Sequence, residues 1–136
     1  MKNFKSILVA ITLVFGFMTP AFANQFIPNT VNKAQFAKGL KAALMSDNLG
    51  VRQGALQQYV RYGQDLNVDQ STVFEIVKIY RNSKDDSMRI LSLSALYSIN
   101  NTWANDFLQR SVKTEKSAWV KEKTYDVLAI HPPTSK

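Results

Sequence analysis

Catalysis and metal binding draw on a short list of side chains, and this chain holds few of them. It has no cysteine and one histidine, His131. Thiolate nucleophiles, thiolate metal sites and histidine-rich metal sites are therefore excluded by composition. His131 stands before Pro132-Pro133 near the C-terminus, where a helix-ending role is expected of it rather than catalysis. The ten acidic residues are scattered, and their one adjacent pair, Asp85-Asp86, falls where a helix N-terminus favours negative charge. Paired-carboxylate hydrolysis would need two acids set apart from the rest, and nothing singles out such a pair. The five glycines form no phosphate-cradling loop. The chain is accordingly expected to be no enzyme, with no catalytic residue, no cofactor and no bound metal.

What does recur is a cation. Arg52, Arg89 and Lys121 each follow an apolar residue, Val51, Met88 and Val120, spaced 37 and 32 residues apart. Around these anchors the same order repeats. Four positions on comes a small residue (Ala55, Ser92, Thr124), and five on a large one (Leu56, Leu93, Tyr125). Six on is polar (Gln57, Ser94, Asp126), and eight on is large again (Tyr59, Leu96, Leu128). A small residue at a fixed point lets helices approach, and large ones beside it fill the groove.

The segments carrying this pattern must be helices. Phe36, Leu40 and Leu44 recur at helical spacing after Asn32, a candidate N-cap, until Ser46 to Gly50 turns the chain. Val51, Ala55, Tyr59 and Tyr62 share one face of a second helix, stopped by Gly63. After a connector over residues 64–68, Asp69 or Ser71 caps a third, with Val73, Ile76, Val77 and Tyr80 inward. The fourth runs from Asp85-Asp86 to Ile99 almost wholly apolar or small, so it is expected at the centre, packed on several sides. Thr102 is expected to cap a fifth carrying Trp103, Phe107, Leu108 and Ser111. Ser117 opens a sixth with Val120, Thr124, Val127 and Leu128 inward, ended by His131 and the prolines. No stretch alternates with period two, so no sheet is expected. The tryptophans and tyrosines are expected in the core or at its edge.

Asn48-Leu49-Gly50-Val51-Arg52-Gln53-Gly54-Ala55-Leu56 and Asp86-Ser87-Met88-Arg89-Ile90-Leu91-Ser92-Leu93 together resemble HEAT repeats, and Glu115 to Lys121 is a weaker copy. The resemblance spans about Lys33 to Ile130. It implies an all-α, right-handed α-α superhelix of about three hairpins; a generic helical bundle is the alternative. It also implies a structural ladder in which Arg52, Arg89 and Lys121 reach acids of a neighbouring unit, with Asp47, Asp85, Asp86 and Glu115 available. Such a ladder at the solvent edge predicts a cost of about 1 kcal/mol or less for Arg89→Ala. Helical-repeat proteins usually bind on their concave face. That would present the polar positions of the second helices: Gln53, Gln57, Arg61, Ser94, Glu122 and Asp126.

The N-terminus reads as an export signal. Lys2 and Lys5 precede an apolar run from Ile7 to Met18, Pro20 breaks it, and Ala21-Phe22-Ala23 offers small residues for cleavage before Asn24. An uncleaved anchor is the competing reading, but the run is short of the ~20 residues that span a bilayer. The expected organisation is a signal peptide over 1–23, an extended lead-in over 24–32, a HEAT-like domain over 33–131 and a tail over 132–136. Cleavage would lower the formal charge from +7 to about +5. A scattered, moderate positive charge on an exported chain disfavours nucleic acid as a partner. The expected function is therefore a periplasmic or secreted protein-binding module with no integral membrane span. The alternative is a basic surface that binds anionic envelope polymer or lipid headgroups.

Overall fold

Among the described residues every α-helix begins where a short polar side chain can cap it. The structure, a computed structural model, describes residues 27–134. Its six α-helices are α1 (Lys33–Leu44), α2 (Leu49–Tyr62), α3 (Gln70–Asn82), α4 (Asp86–Ile99), α5 (Thr102–Ser111) and α6 (Ala118–Ile130), with one 3-10 turn at Val112–Thr114. No strand occurs among the described residues. The caps are Asn32, Asn48, Asp69, Asp85, Asn101 and Ser117, each accepting a backbone N–H from the first turn at 2.7–3.3 Å. Such a cap contributes roughly 1 kcal/mol.

Two boundaries differ from the sequence reading. Gly50 lies inside the first turn of α2, because Asn48 caps that helix two residues earlier. Asn101 rather than Thr102 caps α5, and Thr102 is its first helical residue. The reason is the residue before it. Asn100 ends α4 in the left-handed region (φ 50, ψ 52), a conformation asparagine tolerates better than most residues. That turn leaves Asn101 extended, with its side-chain oxygen 3.0 Å from the Ala104 amide.

The helices pack as successive pairs, α1 with α2, α3 with α4, α5 with α6, and the second helices form a row with α4 in the middle. The most extensive contact in the molecule is α2 against α4; α4 also packs on its own partner α3 and on α6. The repeated positions explain this. The small residues Ala55, Ser92 and Thr124 are all buried where the helices meet. Ser92 stays satisfied by donating to the Met88 carbonyl at 2.8 Å, and Thr124 donates to the Val120 carbonyl at 2.8 Å. Leu56, Tyr59, Leu93 and Leu96 fill the space between.

The third copy departs from the first two at its outer face. Leu56 and Leu93 are buried, yet Tyr125 at the equivalent position is 50% exposed. Among the described residues no helix follows α6, so nothing covers that side. Val51, expected on the inner face of α2, is likewise exposed, whereas Met88 and Val120 at the same repeat position are buried.

Gly63 ends α2 for a reason of space rather than conformation. Its φ of −54 suits any residue, but a Cβ there would lie 2.9 Å from Ser98 Oγ and 3.0 Å from Ile99 Cγ1. The Gly63 backbone therefore lies against side chains at the end of α4, and a Cβ would also come 2.6 Å from the Tyr59 carbonyl oxygen. The lead-in also differs from an extended arm: Ile27 is 4% exposed and belongs to the core, and residues 28–31 close a turn with the Val31 amide on the Pro28 carbonyl. Residues 24–26, like the expected signal segment, lie outside the described residues.

Candidate functional site

On the side of the second helices a groove of about 430 Å³ runs across α2, α4 and α6. Its apolar surface comes from Val60, Ile90, Leu93, Tyr97 and Val127, and its polar groups include Arg61, Gln64, Ser94, Lys123 and Asp126. This volume falls in the range of sites that hold a small ligand or a few side chains. Of the six polar residues expected on the concave face, the structure brings together Arg61, Ser94 and Asp126. Gln53, Gln57 and Glu122 are exposed but do not line the groove. The missed members had a legible signal. Ile90 and Tyr97 fall at i and i+7 around the expected Ser94 at i+4, one face of α4.

Charge in the groove is unevenly balanced. Lys123 sits 3.2 Å from Glu122 and 3.0 Å from Asp126, so its charge is answered on its own helix. Arg61 is exposed and makes no ion pair among the described residues. One wall thus carries an unanswered cation beside apolar surface. At the C-terminal end of α6, the His131 ring lies on that of Tyr97, centroids 4.7 Å apart. Its backbone amide caps α6 on the Val127 carbonyl.

The basic repeat positions behave differently from one another. Arg52 and Lys121 make no ion pair among the described residues. Asp85 caps α4 instead of pairing with a cation. Arg89 does the joining. Its Nε donates to the Tyr80 carbonyl at 2.8 Å, near the end of α3. One terminal nitrogen reaches Glu115 Oε1 at 3.0 Å and Asp86 at 3.4 Å, and the other donates to Glu115 Oε2. Glu115 also accepts from the Ser117 amide at 2.9 Å, while the Ser117 hydroxyl donates to Asp86. One guanidinium therefore ties the second hairpin to the turn that opens α6. The pair is largely covered: the Arg89 side chain is 12% exposed and that of Glu115 9%. The sequence reading placed this pair too far out, because the connection over residues 112–117 folds across it.

Beneath the joint, the Tyr80 hydroxyl and Thr124 Oγ1 lie 2.8 Å apart in the core. Since the one Thr124 hydroxyl proton goes to the Val120 carbonyl, Tyr80 must donate here. Burial raises the Tyr80 pKa, which keeps that proton in place.

Two carboxylates make stability fall in acid. The Arg89 hydrogen bond holds Glu115 below the usual carboxylate range despite its burial. At the start of α3 the Thr72 backbone amide, then its side chain and Lys41, hold Asp69 well below that range. A carboxyl whose folded pKa is depressed contributes stability that is full above its unfolded value, about 4, and lost as pH falls through the folded value. The melting temperature should therefore hold from neutral pH to about 5 and drop below about 4. Glu115→Gln should be less stable at pH 7 and show a shallower acid decline, as read by melts across pH. A decline unchanged in that variant would remove Glu115 from the account.

Among the described residues, no three histidine or acidic side chains cluster as metal ligands would. No helix there is long and apolar enough to cross a membrane. Comparison with known protein families, curated proteins and solved structures returns no match to this chain. The helical-repeat description therefore rests on the paired helices and their repeated positions alone.

Proposed function

We propose that this protein is an exported, non-enzymatic helical-repeat module of the HEAT-like, right-handed superhelical kind, binding another protein in the cell envelope. The groove across α2, α4 and α6 is the surface that takes the partner. One observation carries the reading: apolar surface from three consecutive second helices lies beside Arg61, a cation with no partner within the described fold. That combination suits a segment with apolar side chains next to an acidic one. The roles of the acids support a non-enzymatic reading. Asp69 and Asp85 cap helices, Glu115 and Asp86 answer Arg89, and Glu75, Glu122 and Asp126 pair with lysines.

A photoreactive side chain placed in cells at Tyr97 or Gln64 should yield a discrete protein adduct, and one at Gln53 should not. Arg61→Glu should remove the adduct. Equal labelling from Gln53, or no adduct from either groove position, would refute the groove as the binding surface. Intact mass of the recovered chain tests export separately: a start at Asn24 is expected, and retention of Met1 to Ala23 would make it a membrane-anchored module.

A further inference from the structure

The first helices present a second surface, built independently of the groove. Along α3 the exposed stripe is Phe74, Lys78 and Arg81; beside it on α5 lie the half-buried rings of Trp103 and Phe107 and the exposed Arg110. The two are in register. Phe74 meets Trp103 edge-on with ring centroids 4.3 Å apart, and Trp103 stacks with Phe107 at 5.9 Å. On each helix an arginine follows the aromatic by seven residues, two turns or roughly 10 Å along the axis. The face thus has an aromatic step at one end and an arginine step at the other.

At the arginine step the two helix ends bound a cleft of about 330 Å³, lined by Arg81, Arg110, Phe107, Ser111 and Thr114 over the Arg89–Glu115 pair. Arg81 and Arg110 are exposed and without an ion pair among the described residues. The carboxylate in the cleft is Glu115, and Arg89 already occupies both its oxygens. Asp85 nearby is engaged as the cap of α4. Lys84, Lys113 and Lys116, close in sequence to the lining residues, are exposed and make no ion pair among the described residues, whereas Lys78 is answered by Glu75. Complementing the dipole at a helix C-terminus would account for each arginine singly. It does not account for two arginines sharing a cleft in register with an exposed Phe74 and two half-buried rings.

We infer that this face docks on an anionic lipid surface, with Arg81 and Arg110 taking headgroup phosphate and the Phe74–Trp103–Phe107 row resting at the acyl boundary. Guanidinium groups grip phosphate through paired N–H donors. Aromatic rings beside cations suit the interface between headgroups and acyl chains. A soluble phosphate would need the arginines but has no use for the rings, which is why the lipid is the favoured source.

The test is co-sedimentation of the full chain with vesicles of phosphatidylglycerol and phosphatidylcholine, against vesicles of phosphatidylcholine alone. Every variant keeps the same N-terminal segment, so differences between variants report on this face. Arg81→Gln with Arg110→Gln should lower partition to the anionic vesicles about tenfold or more. Phe74→Ser should lower it severalfold with charge unchanged. The double arginine variant should keep the parent's melting temperature, and both variants should keep its Tyr97 crosslink. Unchanged partition in the double arginine variant would overturn the proposal, as would equal binding of the parent to neutral vesicles. If inorganic phosphate stabilises the parent but not the double variant, and Phe74→Ser binds vesicles normally, the cleft is a soluble-phosphate site and the lipid reading fails.

Discussion

Arg89→Ala should lower the unfolding free energy by about 3–5 kcal/mol, the usual cost of removing one member of a buried ion pair. Most of that cost comes from what is left behind. Glu115 would keep its burial and lose both guanidinium bonds, and the Tyr80 carbonyl would lose its donor at 2.8 Å. Replacing the charged pair together, as Arg89→Met with Glu115→Leu, should restore much of the loss, since apolar groups of similar volume often substitute for such a pair. Urea titration of both variants gives the comparison. A single-variant cost near 1 kcal/mol would mean that the pair is solvated and that Arg89 does not join the hairpins.

The second large effect is expected in the middle of the stack. Leu96 is wholly buried on a helix that packs against α2, α3 and α6. Leu96→Ala should cost ~2–5 kcal/mol through lost transfer energy and the cavity left, against a total of about 5–15 kcal/mol for a domain. Leu128 holds the equivalent place in α6, where it is half-buried at the outer end. Leu128→Ala should therefore cost clearly less, although the chemical change is the same. Equal costs would mean that position in the stack does not set burial, and a nearly neutral Leu96→Ala would remove α4 from the centre.

These two residues also mark what could be read from the chain. Leu96 was legible as central because fourteen consecutive residues from Asp86 to Ile99 are mostly apolar or small, and a helix of that kind gives little of its surface to water. Local capping was legible too, since Asn32, Asp69, Asp85 and Ser117 are short polar residues beside periodic segments. The exchange of Thr102 for Asn101 was not, because both side chains can cap and the left-handed turn at Asn100 decides between them.

The sequence by itself determined the all-α character, the six helices of the described residues and the order small-then-large along every second helix, because hydrophobic spacing and capping act over one or two turns. It also determined that cysteine and histidine clusters play no part. Only the tertiary structure decided which of three similar cations becomes a joint. Arg52, Arg89 and Lys121 occupy one repeat position, yet among the described residues Arg89 alone of the three pairs with a distant carboxylate, supplied by Glu115 from 26 residues away. The same holds for the surfaces. Arg61, Ser94 and Asp126 meet in one groove while Gln53, Gln57 and Glu122 do not, and Arg81 and Arg110 share a cleft across two helices. Such meetings depend on how whole helices are placed against each other, which periodicity within one segment does not encode.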